Sequence, residues 1–138
     1  MIRIVIVTIV GLLASCGSRF NPQEVSGKYT PTDYVNCFDT INLHENGIYK
    51  RNTYDVTGLL VLEMTGKWEL KKEGTLIRFH SYYHNLDDDL LAFPELVTDT
   101  LGGGEFVLDK RNGTIQFCVG AYAADLPDQN CYKKIGAQ

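Results

Sequence analysis

No segment of this chain offers three turns of a helical apolar stripe, which excludes a helical bundle. No internal repeat or low-complexity tract is present. The apolar run Ile4–Leu13 is ten residues long, whereas a bilayer-spanning helix needs about twenty, so it is too short for a permanent span. Basic charge is also scarce. Thirteen Lys and Arg face seventeen Asp and Glu for a net charge of -4, and nucleic-acid binding needs a basic footprint to displace counterions. Beyond residue 24 only Ser26 and Ser81 remain as serines, and neither lies in Gly-x-Ser-x-Gly or Ser-x-x-Lys, so a serine hydrolase has no nucleophile here. A carboxylate pair for glycoside hydrolysis depends on spatial separation and leaves no local motif. The chain therefore reads as a non-enzyme with no cofactor and no assignable metal ligands.

What is present begins at the N-terminus. Met1-Ile2-Arg3 is a short positive region, Ile4–Leu13 an apolar core, and Leu13-Ala14-Ser15-Cys16-Gly17 resembles the lipobox of bacterial lipoproteins, whose cysteine is lipidated and becomes the first mature residue. The resemblance implies a signal peptide over 1–15, lipid on Cys16, and anchoring in a membrane of the bacterial cell envelope. Each buried acyl CH₂ contributes about 0.8 kcal/mol, so more than one chain on Cys16 holds a protein to a leaflet almost permanently. Gly17 stands where an Asp favours inner-membrane retention in lipoproteins of the Gram-negative type, so the same resemblance implies the outer membrane. Loss of Arg3 with the signal peptide leaves twelve basic against seventeen acidic residues, a net charge of -5. Residues 16–24 contain Pro22 and little periodicity, and read as a lipidated N-terminus and tether. Residues 25–138 suffice for one domain.

That domain reads as all-β. Leu60, Leu62, Met64, Trp68 and Leu70 alternate with Glu63, Thr65, Lys67, Glu69 and Lys71, giving one apolar and one wet face. Ile77, Phe79 and Tyr83 share a face opposite Arg78, His80, Tyr82 and His84. Phe106 and Leu108, then Ile115, Phe117 and Val119, continue the pattern. Eight strands are expected near 25–30, 38–44, 47–54, 59–71, 74–83, 104–110, 113–119 and 130–135. Glu45-Asn46-Gly47, Lys72-Glu73-Gly74 and Arg111-Asn112-Gly113 supply the glycine and Asn-Gly chemistry of tight hairpins. In an up-and-down meander these three turns close one end, and the long connections 31–37, 55–58, 84–103 and 120–129 fall at the other. The fold class is thus a small antiparallel barrel of about eight strands, with a two-sheet sandwich as the alternative.

Gly27-Lys28-Tyr29, Leu43, Gly47-Ile48-Tyr49 and Gly66-Lys67-Trp68 recur in an order that resembles the lipocalin-like barrels of small bacterial lipoproteins, including the N-terminal barrel of NlpE-type copper-homeostasis lipoproteins. The likeness covers about residues 27–83 and bears on fold. NlpE-type domains carry Cys-x-x-Cys after the first strand, whereas Val35-Asn36-Cys37-Phe38-Asp39 holds one cysteine, so a copper or redox role does not transfer.

Three cysteines remain in the exported domain, where disulfides persist. Cys118 and Cys131 flank the connection 120–129, and a bridge between them would staple it. Cys37 is a competing partner for Cys131, because barrel closure sets the last strand beside the first. The candidate contact element is 84–103, with acidic Asp87, Asp88 and Asp89, apolar Leu90, Leu91 and Phe93, and a Gly102–Gly104 hinge. His84 joins it as the one histidine near the acidic triplet. His80 lies about 13 Å from His84 along a strand, too far to share a metal ion, and the triplet lacks the spacing of a calcium loop. The bulky inward list favours a barrel filled by its own side chains. The expected function is therefore protein recognition through the long-loop end, as an inhibitor, immunity or accessory lipoprotein. The alternative is a carrier or sensor of a small apolar ligand or metal.

Overall fold

A computed structural model of the chain describes residues 19–83, 92, 102–120 and 129–136. Eight antiparallel strands form a closed up-and-down barrel: β1 Gly27–Pro31, β2 Cys37–Leu43, β3 Ile48–Asp55, β4 Leu60–Lys71, β5 Leu76–His80, β6 Gly103–Arg111, β7 Thr114–Gly120 and β8 Gln129–Ile135. Closure is made by β1 against β8, from Lys28 opposite Ile135 to Pro31 opposite Tyr132. Joining the edges in this way removes the unpaired strand that a sandwich would leave.

The three tight turns lie together at one end, here called the closed end. Asn112 and Gly113 both have positive φ, as a two-residue hairpin of this kind requires. A short helix, α1 Pro22–Val25, plugs this end. It begins with a capping box in which Asn21 Oδ1 accepts from Glu24 N at 2.9 Å and Glu24 Oε2 accepts from Asn21 N at 3.0 Å. Phe20 and Val25 enter the core, Tyr29 Oη donates to Val25 O at 2.7 Å, and Lys134 Nζ donates to Glu24 O at 2.6 Å. Phe20 N donates to Gly74 O at 3.2 Å, and a Cβ on Gly74 would stand 2.1 Å from Phe20 O, so only glycine admits this crossing. The stretch from Phe20 to Glu24, read from the sequence as tether, is therefore part of the fold. Periodicity could not reveal it, because a single helical turn has none.

Two further residues depart from their expected faces. Leu60, placed inward by alternation, is 42% exposed. Thr53 pairs with Leu62 but Tyr54 pairs with Leu60, so Val61 is the extra residue of a bulge and the phase reverses beyond it. Tyr82, placed outward, is buried, while Tyr83 is only half-buried. Ser81 adopts φ 52°, which ends β5 at His80 and turns the next side chain into the barrel.

The remaining expected core is inward and buried: Leu62, Trp68, Ile77, Phe79, Phe106, Leu108, Ile115, Phe117 and Val119, with Met64 and Leu70 packed against it. Trp68 Nε1 donates to His44 O at 2.9 Å, giving its one polar atom a partner at the closed end. Across the middle, Phe79 lies 5.2 Å from Tyr49, 4.9 Å from Tyr82 and 5.4 Å from Phe117, and Phe117 lies 5.3 Å from Tyr29 and 5.4 Å from Tyr132. The barrel is thus filled by a continuous stack of its own rings. Cys118 and Cys131 are register partners on β7 and β8, with Cα atoms 3.9 Å apart, and form the disulfide. Cys37 is buried at the start of β2 and is not disulfide-bonded.

Candidate functional site

The open end combines a buried charge network with an apolar rim. The network arises because Asp39 on β2 and Arg51 and Thr53 on β3 fall on the inward phase of their strands, with Asp39 directly opposite Thr53. Arg51 Nε donates to both carboxylate oxygens of Asp39 at 3.1 and 3.0 Å, and Arg51 Nη2 approaches Oδ2 at 2.5 Å. Thr53 Oγ1 donates to Asp39 Oδ1 at 3.1 Å and Tyr132 Oη to Oδ2 at 2.6 Å. Arg51 Nη2 also donates to Tyr132 Oη at 3.2 Å, and Arg51 Nη1 to the carbonyl of Tyr83. The guanidinium carbon sits 4.8 Å above the centre of the Tyr82 ring.

Burial works against the charge on Arg51, but Asp39 and the surrounding tyrosines outweigh it and hold its pKa well above the ordinary value. Burial raises the phenols of Tyr34, Tyr49 and Tyr132, and that of Tyr82 to about 12, so all four stay neutral across the physiological range. Both members of the pair are fully buried and spend their contacts inside the barrel. Its visible work is positional. With Tyr49 Oη donating to Ser81 O at 2.7 Å, Arg51 pins residues 81–83, the point from which the connection 84–102 departs.

Above the network the outer wall is apolar. Register sets Phe38 opposite Tyr54 and Tyr54 opposite Leu60, so the three side chains form a row across β2, β3 and β4. Val35, Phe38, Val56 and Leu59 are 62 to 76% exposed around that row. The turn carrying Val56 and Leu59 is held by Asp55, whose Oδ1 accepts from Thr57 N at 2.8 Å, Thr57 Oγ1 at 2.6 Å and Leu59 N at 2.9 Å. These bonds, the Thr57 hydroxyl first, lower the pKa of Asp55. Gly58 supplies the positive φ of 87° that the turn needs. The segment bearing Val35 is tied to β8 through Thr32 N to Cys131 O at 3.0 Å and Asn130 N to Asp33 Oδ2 at 3.2 Å. Apolar side chains are therefore displayed on fixed backbone.

The disulfide cysteines are brought together as first expected, and the competing Cys37 is not joined to them. His84, Asp87, Asp88, Asp89, Leu90, Leu91 and Phe93 lie outside the described residues, as does Cys16. The segment that would hold the first seven is rooted at the open end, between His80 and Gly103. His80 is half-exposed on the outer face and its Nε2 lies 2.9 Å from Glu69 Oε1. Among the described residues no group of three His, Cys, Asp or Glu is placed to hold a metal ion. Sequence reasoning missed the rim. Its signal was an apolar run, Val56 to Val61, broken only by Thr57 and Gly58 and continued through a turn that alternation alone would have made polar.

No protein-family model, no curated protein and no solved structure matches this chain. The closed eight-stranded barrel is compatible with the lipocalin-like resemblance at the level of fold.

Proposed function

We propose that this protein is a lipid-anchored envelope binding module that recognises a partner protein through the open end of its barrel. The observation that carries this reading is the apolar row of Phe38, Tyr54 and Leu60 with Val35, Val56 and Leu59 beside it. Contiguous exposed apolar surface on rigid backbone costs little conformational entropy to bury, which is what a recognition patch needs. The filled interior supports surface recognition over an internal pocket. The occupant is an apolar face of a protein rather than the anchoring leaflet, because the rim is at the opposite end of the barrel from Arg19, the first described residue after Cys16.

The test places a photo-crosslinking residue at Val56, or for comparison at Asn112, in cells that make the full chain. A discrete adduct from position 56, absent from position 112 and lost with Phe38→Ser/Leu60→Ser, is the expected result. Adducts from Asn112 alone would overturn the open-end reading. Anchoring is tested separately, since Cys16→Ala should release the protein from membranes, and retention after a salt wash would refute lipidation.

A second reading rests on a groove of about 520 Å³ where β6 and β7 part. Their pairing runs from Arg111 opposite Thr114 only as far as Leu108 opposite Phe117, and Phe106, Val107 and Val119 line the opening beyond it. A small apolar ligand could enter there, and displacement of a fluorescent fatty acid by candidate ligands would favour a carrier.

A further inference from the structure

The charged groups are sorted along the barrel axis. Three basic side chains along the barrel wall have a carboxylate partner and so add no net charge: Lys50 with Glu63 at 2.7 Å, Arg51 with Asp39, and Arg78 with Glu105 at 3.6 Å. Around the closed half, Lys28 on β1, Lys67 on β4, Lys72 in the following turn, Lys110 on β6 and Lys133 on β8 have no carboxylate within ion-pair distance among the described residues. Four further cations lie there with partners: Arg19 with Glu73, Lys71 with Glu69, Arg111 with Asp109, and Lys134 on the carbonyl of Glu24. The carboxylates of this half are Glu24, Glu45, Glu69, Glu73 and Asp109. Nine cations against five carboxylates leave it at +4, in a chain whose total is -4.

We infer that the closed end is an electrostatic docking face for a leaflet containing anionic phospholipid. Three observations converge on it. The unpaired lysines sit on four strands and one turn spread around the barrel, so their charge encircles the closed end rather than facing one side. The five are exposed, and long stems let their ammonium groups reach toward headgroups. The third is continuity with the anchor, which rests on the lipoprotein reading. Gly17 and Ser18 alone separate Cys16 from Arg19, a span of at most about 11 Å, and Phe20 is fixed to the plug. An anchor at Cys16 thus holds this end against the leaflet, where each Lys near an anionic surface strengthens binding by about fivefold.

The experiment uses residues 17–138, which contain α1 and all eight strands and carry no lipid, so its outcome is independent of whether Cys16 is modified. Vesicles of phosphatidylcholine are compared with vesicles holding equal parts of phosphatidylglycerol. Sedimentation should show binding to the anionic vesicles only, abolished as salt approaches 1 M and the screening length falls to about 3 Å. Lys28→Gln/Lys72→Gln/Lys110→Gln should lower the partition coefficient by about 100-fold with an unchanged melting temperature. Lys50→Gln/Glu63→Gln, which removes an ion pair of no net charge, should leave it within about twofold. Equal binding to neutral vesicles, equal losses from the two variants, or tighter binding to a short DNA duplex than to anionic vesicles would each overturn the proposal.

Discussion

The two ends of this barrel solve the same problem, closing a tube, with opposite chemistry. At the closed end Phe20, Val25 and Trp68 fill the opening, their amides and the Trp68 indole N–H donate to backbone carbonyls, and Tyr29 Oη donates to Val25 O. At the open end the tube is sealed by a buried ion pair roofed by tyrosines, with the apolar surface turned outward onto the rim. Burying apolar groups stabilises with little geometric demand. Burying an ion pair gains little net energy, yet it tolerates few arrangements. The difference assigns stability to the closed end and positional accuracy to the end that carries the apolar rim.

Two substitutions sharpen that contrast. Arg51→Met should destabilise the protein by about 3 to 5 kcal/mol, because it leaves Asp39 buried and uncompensated. Adding Asp39→Leu should restore much of the loss in chemical denaturation. If the double variant is no more stable than the single one, the pair is not the isolated unit described above. Trp68→Ala should also cost about 3 to 5 kcal/mol, but no second substitution should rescue it, since the loss is cavity and contact rather than an orphaned charge. A melting temperature unchanged by Trp68→Ala would contradict its placement in the core.

Sequence alone made the strand order and the tight turns of the closed end legible for a physical reason, though not the helix that plugs it. Alternation with period two reports which face is buried, and Asn-Gly turns report where the chain reverses, so the meander followed. The same rule failed wherever backbone geometry changed phase. One extra residue at Val61 turned Leu60 outward, and a positive φ at Ser81 turned Tyr82 inward. Neither event has a marker in residue type, since valine suits strands and serine is indifferent. Asp39 and Arg51 were hidden differently. Each is an ordinary surface residue taken singly, and only the pairing of β2 with β3 shows that their charges cancel inside. The same bulge put Leu60 on the rim, so an error of one residue in phase concealed the end of the apolar row.

The disulfide provides a smaller test of how independent the two ends are. Cys118→Ala/Cys131→Ala should cost about 3 kcal/mol in the loop-entropy account for a separation of 13 residues. Because the bridge joins β7 to β8 beside Tyr132, amide exchange should quicken first at 129–132 and hardly at all in α1. Uniform quickening through both ends would show that the barrel opens as a single unit.

The smallest expected effect on stability is at the rim, where the proposed recognition would be lost. Phe38 and Leu60 are exposed, so Phe38→Ser/Leu60→Ser should change the melting temperature little, within about 0.5 kcal/mol for each surface substitution, while removing the partner contact. The geometry of the neighbouring turn gives this prediction a pH signature. Asp55 holds Val56 and Leu59 in place only as a carboxylate, and its hydrogen bonds from Thr57 and Leu59 lower its pKa. A group whose folded pKa is depressed contributes its stabilisation above the unfolded pKa and loses it as pH falls through the folded value. The turn should therefore stay ordered through the range in which a free aspartate protonates, and loosen only below it. Partner binding by the native chain should persist over that interval, whereas Asp55→Asn, which cannot gain or lose the charge, should bind more weakly and without the low-pH step. Binding that fell in step with ordinary aspartate titration would place the pH-sensitive group elsewhere and remove the turn from the recognition surface.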